Sequence, residues 1–359
     1  MRSGSSQWIL SLSLALAALV LTLGAAELGA RLLTEPVRRV NQTWIPRNLV
    51  QPSRIEHVPY LFVPGASGQQ VFGSDPRGYF DPGGRLTYRI NSLGFRGAET
   101  TREKFAGTVR IIGIGDSFLF GEGVRERDTL LAVLQRRLDE NYGPTSFEVL
   151  NLGAGGYDTR AEVALLAKRG MSLDPDLVVI CFFLNDANGP TTLPAFNPPV
   201  PNQPSWWRRH SRLASFLIDR FERKRAMEHL ISSYRANFRD DDPRWISARN
   251  ALKSARDITA SRDVELVLMI FPMLWHLSDG YPFEAVHEFV AAAARELQIP
   301  VLDLLPEFRG YDGPELWVHP NNQHPNEIAH DVAGRALYAF LRDNQLIERP
   351  DAIQFGDSM

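Results

Sequence analysis

Residues 111–123 read Ile-Ile-Gly-Ile-Gly-Asp-Ser-Phe-Leu-Phe-Gly-Glu-Gly, and His324-Pro325-Asn326 follows far downstream. A serine hydroxyl is a weak nucleophile until a neighbouring base takes its proton, and histidine is the commonest base. Ser117 stands where an apolar, strand-like run gives way to a helical pattern, and His324 stands in a loop just before the last helical stretch. A serine at the exit of a buried strand, met by a histidine near the C-terminus, can carry out acyl transfer through an acyl-serine.

Acyl transfer also needs donors aimed at the oxygen that becomes negative, each worth ~2.7–4 kcal/mol. Three are available. The backbone N–H of Ser117 is one. Gly156, in Asn151-Leu152-Gly153-Ala154-Gly155-Gly156-Tyr157-Asp158, allows close backbone approach because it lacks a Cβ. Asn185 offers a side-chain amide. Taken singly, the glycines fit a tight turn equally well and Asn185 a turn or helix cap; their position relative to Ser117 is what favours a site.

The elements that must position these residues are legible from periodicity. Strands are predicted over 109–114, 147–150, 177–184, 264–271 and 301–304, and helices over 127–140, 160–169, 248–260, 283–297 and 327–341. The continuous apolar run 177–184 fits a strand buried on both faces. Strand–helix alternation implies a parallel sheet with helices on both faces, and such sheets place sites outside the carboxyl ends of their strands. Ser117, the 151–159 loop and Asn185 each follow such an end. The 34–105 stretch, rich in Pro, Gly, Arg and aromatics, reads as a stalk plus an extension. Tyr88–Gly97 in it resembles a short strand entering a turn, packed on the domain through Leu93 and Phe95. Residues 187–245 interrupt the alternation as an insertion, and residues 346–359 read as a tail.

The 359 residues, 44% hydrophobic, are enough for one large domain, and a net charge of −3 gives no call for nucleic acid. The single cysteine, Cys181, lies in an apolar run and reads as a core thiol. Trp8–Ala26 is apolar and uncharged. It is long enough to cross most of a ~30 Å hydrocarbon core and exceeds the ~7–15 residues of a signal h-region, so an anchor is favoured over a cleaved signal. Arg2 precedes this run and Arg31, Arg38 and Arg39 follow it, so the flanking charges do not decide orientation. One anchor followed by one long domain places the bulk outside the cytoplasm. The basic stretch 206–234, opening with Trp206 and Trp207, is read as a solvated helix capping the site with the Trp pair in the core, and a membrane-surface helix is the rival. His319, His324, Glu327 and His330 match no zinc spacing, and neither 121–123 nor 153–156 matches a nucleotide fingerprint, so no metal or cofactor is expected.

Four stretches, Gly-Asp-Ser117-Phe, Asn-Leu-Gly-Ala-Gly-Gly156, Phe183-Leu-Asn185-Asp and His324-Pro-Asn, together resemble the SGNH or GDSL-type hydrolase family over residues 111–330. Tyr88–Gly97 resembles a segment found upstream in bacterial, membrane-anchored members. The resemblance implies a three-layer α/β/α sandwich with a flavodoxin-like parallel sheet of about five strands, over 106–345. It implies Ser117 as nucleophile, His324 as base, and Ser117, Gly156 and Asn185 as the oxyanion hole.

Two departures from the family pattern stand out. Phe183 occupies a position where the family has Gly, which would narrow the pocket. The acid that precedes the histidine by two or three residues is replaced by Asn322 and Asn321. Asparagine can orient an imidazole but cannot stabilise its charge, and Asp-to-Asn in a trypsin-type triad costs ~10⁴ in turnover. Three outcomes follow: a dyad oriented by Asn or a backbone carbonyl, another carboxylate (Asp186, Asp303 or Asp312) moving in, or a slow or inactive site. The functional expectation is a membrane-anchored serine esterase acting on O-acyl groups of a carbohydrate or lipid. An O-acyltransferase, and an inactive domain binding glycan or partner proteins, are the alternatives.

Overall fold

The computed structural model describes residues 4–33, 46–187, 206, 210–278, 280–320 and 322–347. Asn321, residues 188–205 and 207–209, and the residues beyond 347 lie outside the described residues. The chain divides into two units, Met1–Val40 with Asn197–Leu230, and Asn41–Phe196 with Ile231–Met359. The first unit contains helix α1 (Gly4–Leu33).

The second unit is built on five parallel strands: β5 (Val109–Gly115), β6 (Phe147–Asn151), β7 (Leu177–Phe182), β8 (Glu265–Ile270) and β9 (Val301–Asp303). Two hairpins precede them in sequence, β1 (Val50–Pro52) with β2 (Tyr60–Phe62), and β3 (Ser67–Val71) with β4 (Arg85–Arg89). The sheet order is β6-β5-β7-β8-β9. Its central strands β5 and β7 are almost wholly buried, as the unbroken apolar runs require.

The helices of this unit are α2 (Ser117–Phe120), α3 (Leu130–Tyr142) and α4 (Thr159–Lys168), then α5 (Arg212–Asn237), which begins in the first unit. They continue with α6 (Pro243–Ala260), α7 (Glu284–Glu296), α8 (Leu305–Phe308) and α9 (Glu327–Asp343). The chain steps outward from β5 to β6 and then back across β5 to β7. Right-handed crossovers therefore put α3 on one face and α4 and α6 on the other. The packing agrees, with α3 against α9 and α4 against α6. The reversal of direction at β5 opens a crevice at the carboxyl ends of β5, β6 and β7, where such sheets place their sites.

The predicted strands and helices of this domain all occur, shifted by a few residues at their ends. His324 is different. It lies not in a loop but in β11 (Asn322–Pro325), paired antiparallel with β10 (Trp317–His319). These strands, of three and four residues, are too short for alternation to be read from sequence. Of the 34–105 stretch, residues 46–105 fold as the two hairpins and connecting turns, and Phe62, Phe72, Leu86, Tyr88 and Phe95 are buried. The Tyr88–Gly97 turn forms as expected, with Asn91 Oδ1 accepting from the backbone N–H groups of Leu93 and Phe95.

In the first unit, Trp8–Leu33 is long and apolar enough to cross a membrane, with mean hydropathy 2.3. At ~1.5 Å per residue it is about 39 Å long. Near its C-terminal end Glu27 accepts from Ser211 Oγ at 2.7 Å and from the backbone N–H groups of Arg212 and Leu213, both at 2.9 Å. It thereby satisfies donors that the start of α5 would leave unpaired.

Candidate active site

Ser117 opens α2, separated from the end of β5 by Asp116 alone. Asp116 caps that helix through Oδ1, which accepts from Phe118 N at 2.8 Å. Asp116 Oδ2 accepts from Asn185 Nδ2 at 2.9 Å, which fixes the orientation of the Asn185 amide and leaves its second N–H unused by this bond. Burial pushes the Asp116 carboxyl up to about 6.

The β10–β11 hairpin brings His324 onto Ser117, with Nε2 at 2.8 Å from Oγ. Both residues are buried, Ser117 2% and His324 3% exposed. Nδ1 of His324 lies 2.6 Å from Asn322 Oδ1, which also accepts from the backbone N–H of His324 at 3.1 Å. Burial holds the imidazole well below its ordinary value, down to about 3, so it is neutral in the resting protein and able to accept a proton.

The Gly-rich loop after β6 continues beside β5. Ala154 N donates to Gly115 O at 2.9 Å, and a Cβ on Gly153 would lie 2.5 Å from Phe120 N, so the loop runs directly against the serine's helix. Gly156, two residues beyond Ala154, has φ 77° in the left-handed region that glycine favours. Tyr60 from β2 donates to Gly155 O at 2.8 Å and holds this turn.

The structure thus gathers Ser117, His324 and Asn322 into one hydrogen-bonded chain, and brings the Gly156 loop and Asn185 to the same end of the sheet. Asn321 lies outside the described residues. Phe183 stacks on Phe118, with ring centroids 3.9 Å apart, and Phe118 in turn borders His324. The substituent that replaces glycine is therefore absorbed into an aromatic wall beside the base. The alternative acids do not reach the histidine. Asp186 accepts from Phe183 N, Asp303 pairs with His287, and Asp312 flanks a turn at Gly313–Leu316. The residues weighed as metal ligands point apart: His319 to Ser74, Glu327 to Arg77, and His330 to the backbone N–H of Leu130.

Sequence reasoning overlooked two groups. Glu122, 2% exposed, lies 3.7 Å from His324 Nε2 and 3.4 Å from Asn322 Nδ2. Burial pushes it up to about 8, against the pull of Gln70, Asn322 and Arg96. Arg96, from the turn after β4, donates to the carbonyls of Phe120, Gly121 and Val124 and so clamps the chain that follows Ser117. The signals were present in sequence as a Gly-Glu-Gly turn close behind the serine and an arginine inside an otherwise buried aromatic segment. A crevice of about 1010 Å³ opens elsewhere, along the β6 edge beside Phe105, Ala132, Gln135 and Phe147. None of the Ser117–His324 chain lines it.

Comparison with known proteins bears on this arrangement. Residues 114–332 match the family model described as GDSL-like lipase/acylhydrolase. No curated protein matches the chain. Among solved structures, a G-D-S-L family protein from Desulfitobacterium hafniense DCB-2 is similar at 15% identity and TM-score 0.40, covering 65% of this chain and 100% of its own. A two-domain esterase active on acetylated mannans is similar at 15% identity and TM-score 0.44, covering 68% of this chain and 52% of its own. The acetylxylan esterase Axe2 of Geobacillus stearothermophilus, as a catalytic mutant, is similar at 18% identity and TM-score 0.42, covering 67% of this chain and 95% of its own. The matched segment spans more than half of the chain, from the end of β5 into α9, and on that ground this protein belongs to the GDSL-like lipase/acylhydrolase family, a family of ester hydrolases.

Proposed function

We propose that the protein is a serine esterase anchored to a membrane by α1, with its hydrolase domain outside the cytoplasm, acting on O-acyl groups of a carbohydrate or lipid in the cell envelope. The observation that carries the reading is the 2.8 Å approach of His324 Nε2 to Ser117 Oγ at the carboxyl end of β5. Family membership supports ester chemistry, and the apolar helix Trp8–Leu33 supports the envelope setting.

In the proposed reaction Ser117 Oγ attacks the ester carbonyl while its proton passes to His324 Nε2. The tetrahedral oxyanion is held by the backbone N–H groups of Ser117 and Gly156 and by the second N–H of Asn185 Nδ2. His324 then returns the proton to the leaving alkoxide. Water attacks the acyl-serine in the mirror-image step, with His324 again as base. A sugar hydroxyl in place of that water would make the same site an acyltransferase.

One observation favours a second reading. Asn322 holds the histidine where the family has a carboxylate, which fits a weak or inactive domain that binds glycan or partner proteins. Fluorophosphonate labelling of the full chain, beside Ser117→Ala and His324→Ala, separates the two. Labelling lost in both variants supports the esterase and directs a screen towards acetylated glycans and lipids. Absence of labelling across pH 6–9 moves the reading to the binding domain.

A further inference from the structure

We propose that Glu122 is the acid of this site, a positioning residue whose carboxylate lies beside the imidazole and stabilises the protonated ring that Asn322 cannot. The proposal rests on the serine-esterase reading and deepens it.

The geometry starts from the Gly121-Glu122-Gly123 turn. Both glycines adopt left-handed φ, 80° and 81°. A Cβ on Gly121 would come within 2.6 Å of Thr129 Cγ2, and one on Gly123 within 2.4 Å of Val318 Cγ1. The chain is therefore pressed against its neighbours on both sides of Glu122. Glu122 N donates back to Ser117 O at 3.1 Å, so the acid and the nucleophile share one tight loop. Arg96 clamps the carbonyls of this loop, and Tyr88 Oη accepts from Gly123 N at 2.8 Å while donating to Gln70 Oε1. The result is a fully buried carboxylate with one oxygen at 3.4 Å from Asn322 Nδ2 and the other at 3.7 Å from His324 Nε2.

A buried carboxyl group is costly unless it is used or paired. Here the groups that face it are His324, Asn322 and Gln70, the phenols of Tyr88 and Tyr60, the Asp116 carboxyl and the Arg96 guanidinium. Arg96 directs its Nη groups to three carbonyls and acts on Glu122 through its charge alone, and turnover creates a further cation on His324, 3.7 Å from the carboxylate. As Oγ bonds to the acyl carbon, the carbonyl pair moves to oxygen and the Ser117 proton moves to Nε2. This leaves an imidazolium and an oxyanion in a buried setting. A carboxylate 3.7 Å from that nitrogen offsets the new positive charge, and Glu122 itself transfers no proton. Asn322 takes the other half of the acid's usual task, holding Nδ1–H in place. The two functions that one aspartate combines in a triad are divided here between Asn322 and Glu122.

The acting form is the ionised carboxylate. Fluorophosphonate labelling rates measured on the full chain across pH 6–10 therefore test the idea directly. Wild type is expected to label faster as pH rises, with a midpoint near 8. Glu122→Gln is expected to lose that limb and to label roughly 10²–10³ times more slowly at pH 9, within the loss seen when a triad carboxylate is neutralised. Adding Asn322→Asp to Glu122→Gln should recover at least about tenfold by restoring a carboxylate on the Nδ1 side. Wild-type rate and limb in folded Glu122→Gln would overturn the proposal. Where that variant fails to fold, as judged by circular dichroism, a flat wild-type profile between pH 7 and 9 would overturn it instead. Labelling that persists in Ser117→Ala is a different failure, because it removes the nucleophile and hence the esterase reading itself.

Discussion

The Asn322 side chain holds His324 by its composition: Oδ1 is 2.6 Å from Nδ1, and the same oxygen accepts the backbone N–H of His324. An amide oxygen only accepts, so Nδ1 must carry the hydrogen and Nε2 must present its lone pair to Ser117. An asparagine at this place in a triad fails when its NH₂ group faces the ring and selects the wrong tautomer. That flip is opposed here, because it would lose the hydrogen bond from the backbone N–H of His324. Asn322→Ala is expected to slow fluorophosphonate labelling roughly 10²-fold while leaving the fold intact. An unchanged rate would mean that the ring is positioned by other groups.

The imidazole itself is expected to stay neutral far into acid, since burial takes His324 down to about 3. Nitrogen-15 NMR of histidine-labelled protein should show the Nδ1–H tautomer at pH 7 and no protonation of this ring down to about pH 5, where an ordinary histidine has titrated. A ring that titrates near 6.5 would contradict the burial argument.

Arg96 binds three carbonyls of the turn that follows the nucleophile. Arg96→Met removes the guanidinium donor from the Phe120 and Val124 carbonyls, at about 1–3 kcal/mol for each acceptor left unsatisfied, while Gly121 O keeps the Val124 N–H at 3.3 Å. A loss of about 3–5 kcal/mol in chemical unfolding is expected, together with slower labelling. Arg96→Lys keeps the charge but not the planar fork and should recover only part of the loss. A stability change under about 1 kcal/mol for Arg96→Met would sink the clamp.

Gly123→Ala combines an unfavourable φ with a clash against Val318, so a cost of about 2–4 kcal/mol is expected. Gly78, with φ 66° and open space around it, provides the comparison, and Gly78→Ala should cost only the backbone part, about 1–2 kcal/mol. Equal losses at both positions would show that packing against Val318 contributes nothing.

Stability should depend on pH through buried groups that act in opposite directions. His324 is held below 6.5, so the unfolded chain binds more protons between about 3 and 6.5, and stability rises with pH across that window. Glu122 is raised from 4.5 to about 8, so the folded protein binds more protons in that range, and stability falls as pH rises. Glu162 and Asp186, also raised by burial, act in the same direction as Glu122. Above 6.5 only the acids remain, so stability is expected to fall from pH 6.5 to 8, by up to about 1.4 kcal/mol per pH unit per group, and Tm to fall with it. Glu122→Gln should flatten part of that slope. A wild-type Tm that is level or rising over this range would argue against a protonated Glu122.

The sheet was legible because apolar runs such as 177–182 leave a parallel strand little alternative, and the strand ends then located Ser117, the glycine loop and Asn185. His324 was found by its neighbours Pro325 and Asn326, though its hairpin was not, since β10 and β11 are only three and four residues long. Glu122 escaped notice because a charged residue between two glycines reads as a solvated turn. Only the left-handed φ at Gly121 and Gly123, and the packing of Val318 and Thr129, reveal that the turn faces inward. Arg96 escaped for a related reason: its partners are backbone carbonyls, which leave no trace in residue identities. Aspartates downstream of the serine are the natural candidates for a missing acid, whereas the nearest carboxylate lies in the serine's own loop.

The Tyr60–Gly155 hydrogen bond bears on how the protein can be cut. The stretch that marks the family begins at Ile114, yet the tyrosine that steadies the glycine loop, the arginine that clamps the serine's turn, and Gln70 and Tyr88 behind Glu122 all lie upstream of it. A fragment trimmed to the recognisable segment would keep every reacting group and discard their scaffolding. Such a fragment should express as an unstable and unreactive chain, and one beginning near residue 41, which keeps Tyr60, Gln70, Tyr88 and Arg96, should not, so the boundary of resemblance is expected to lie inside the boundary of autonomous folding.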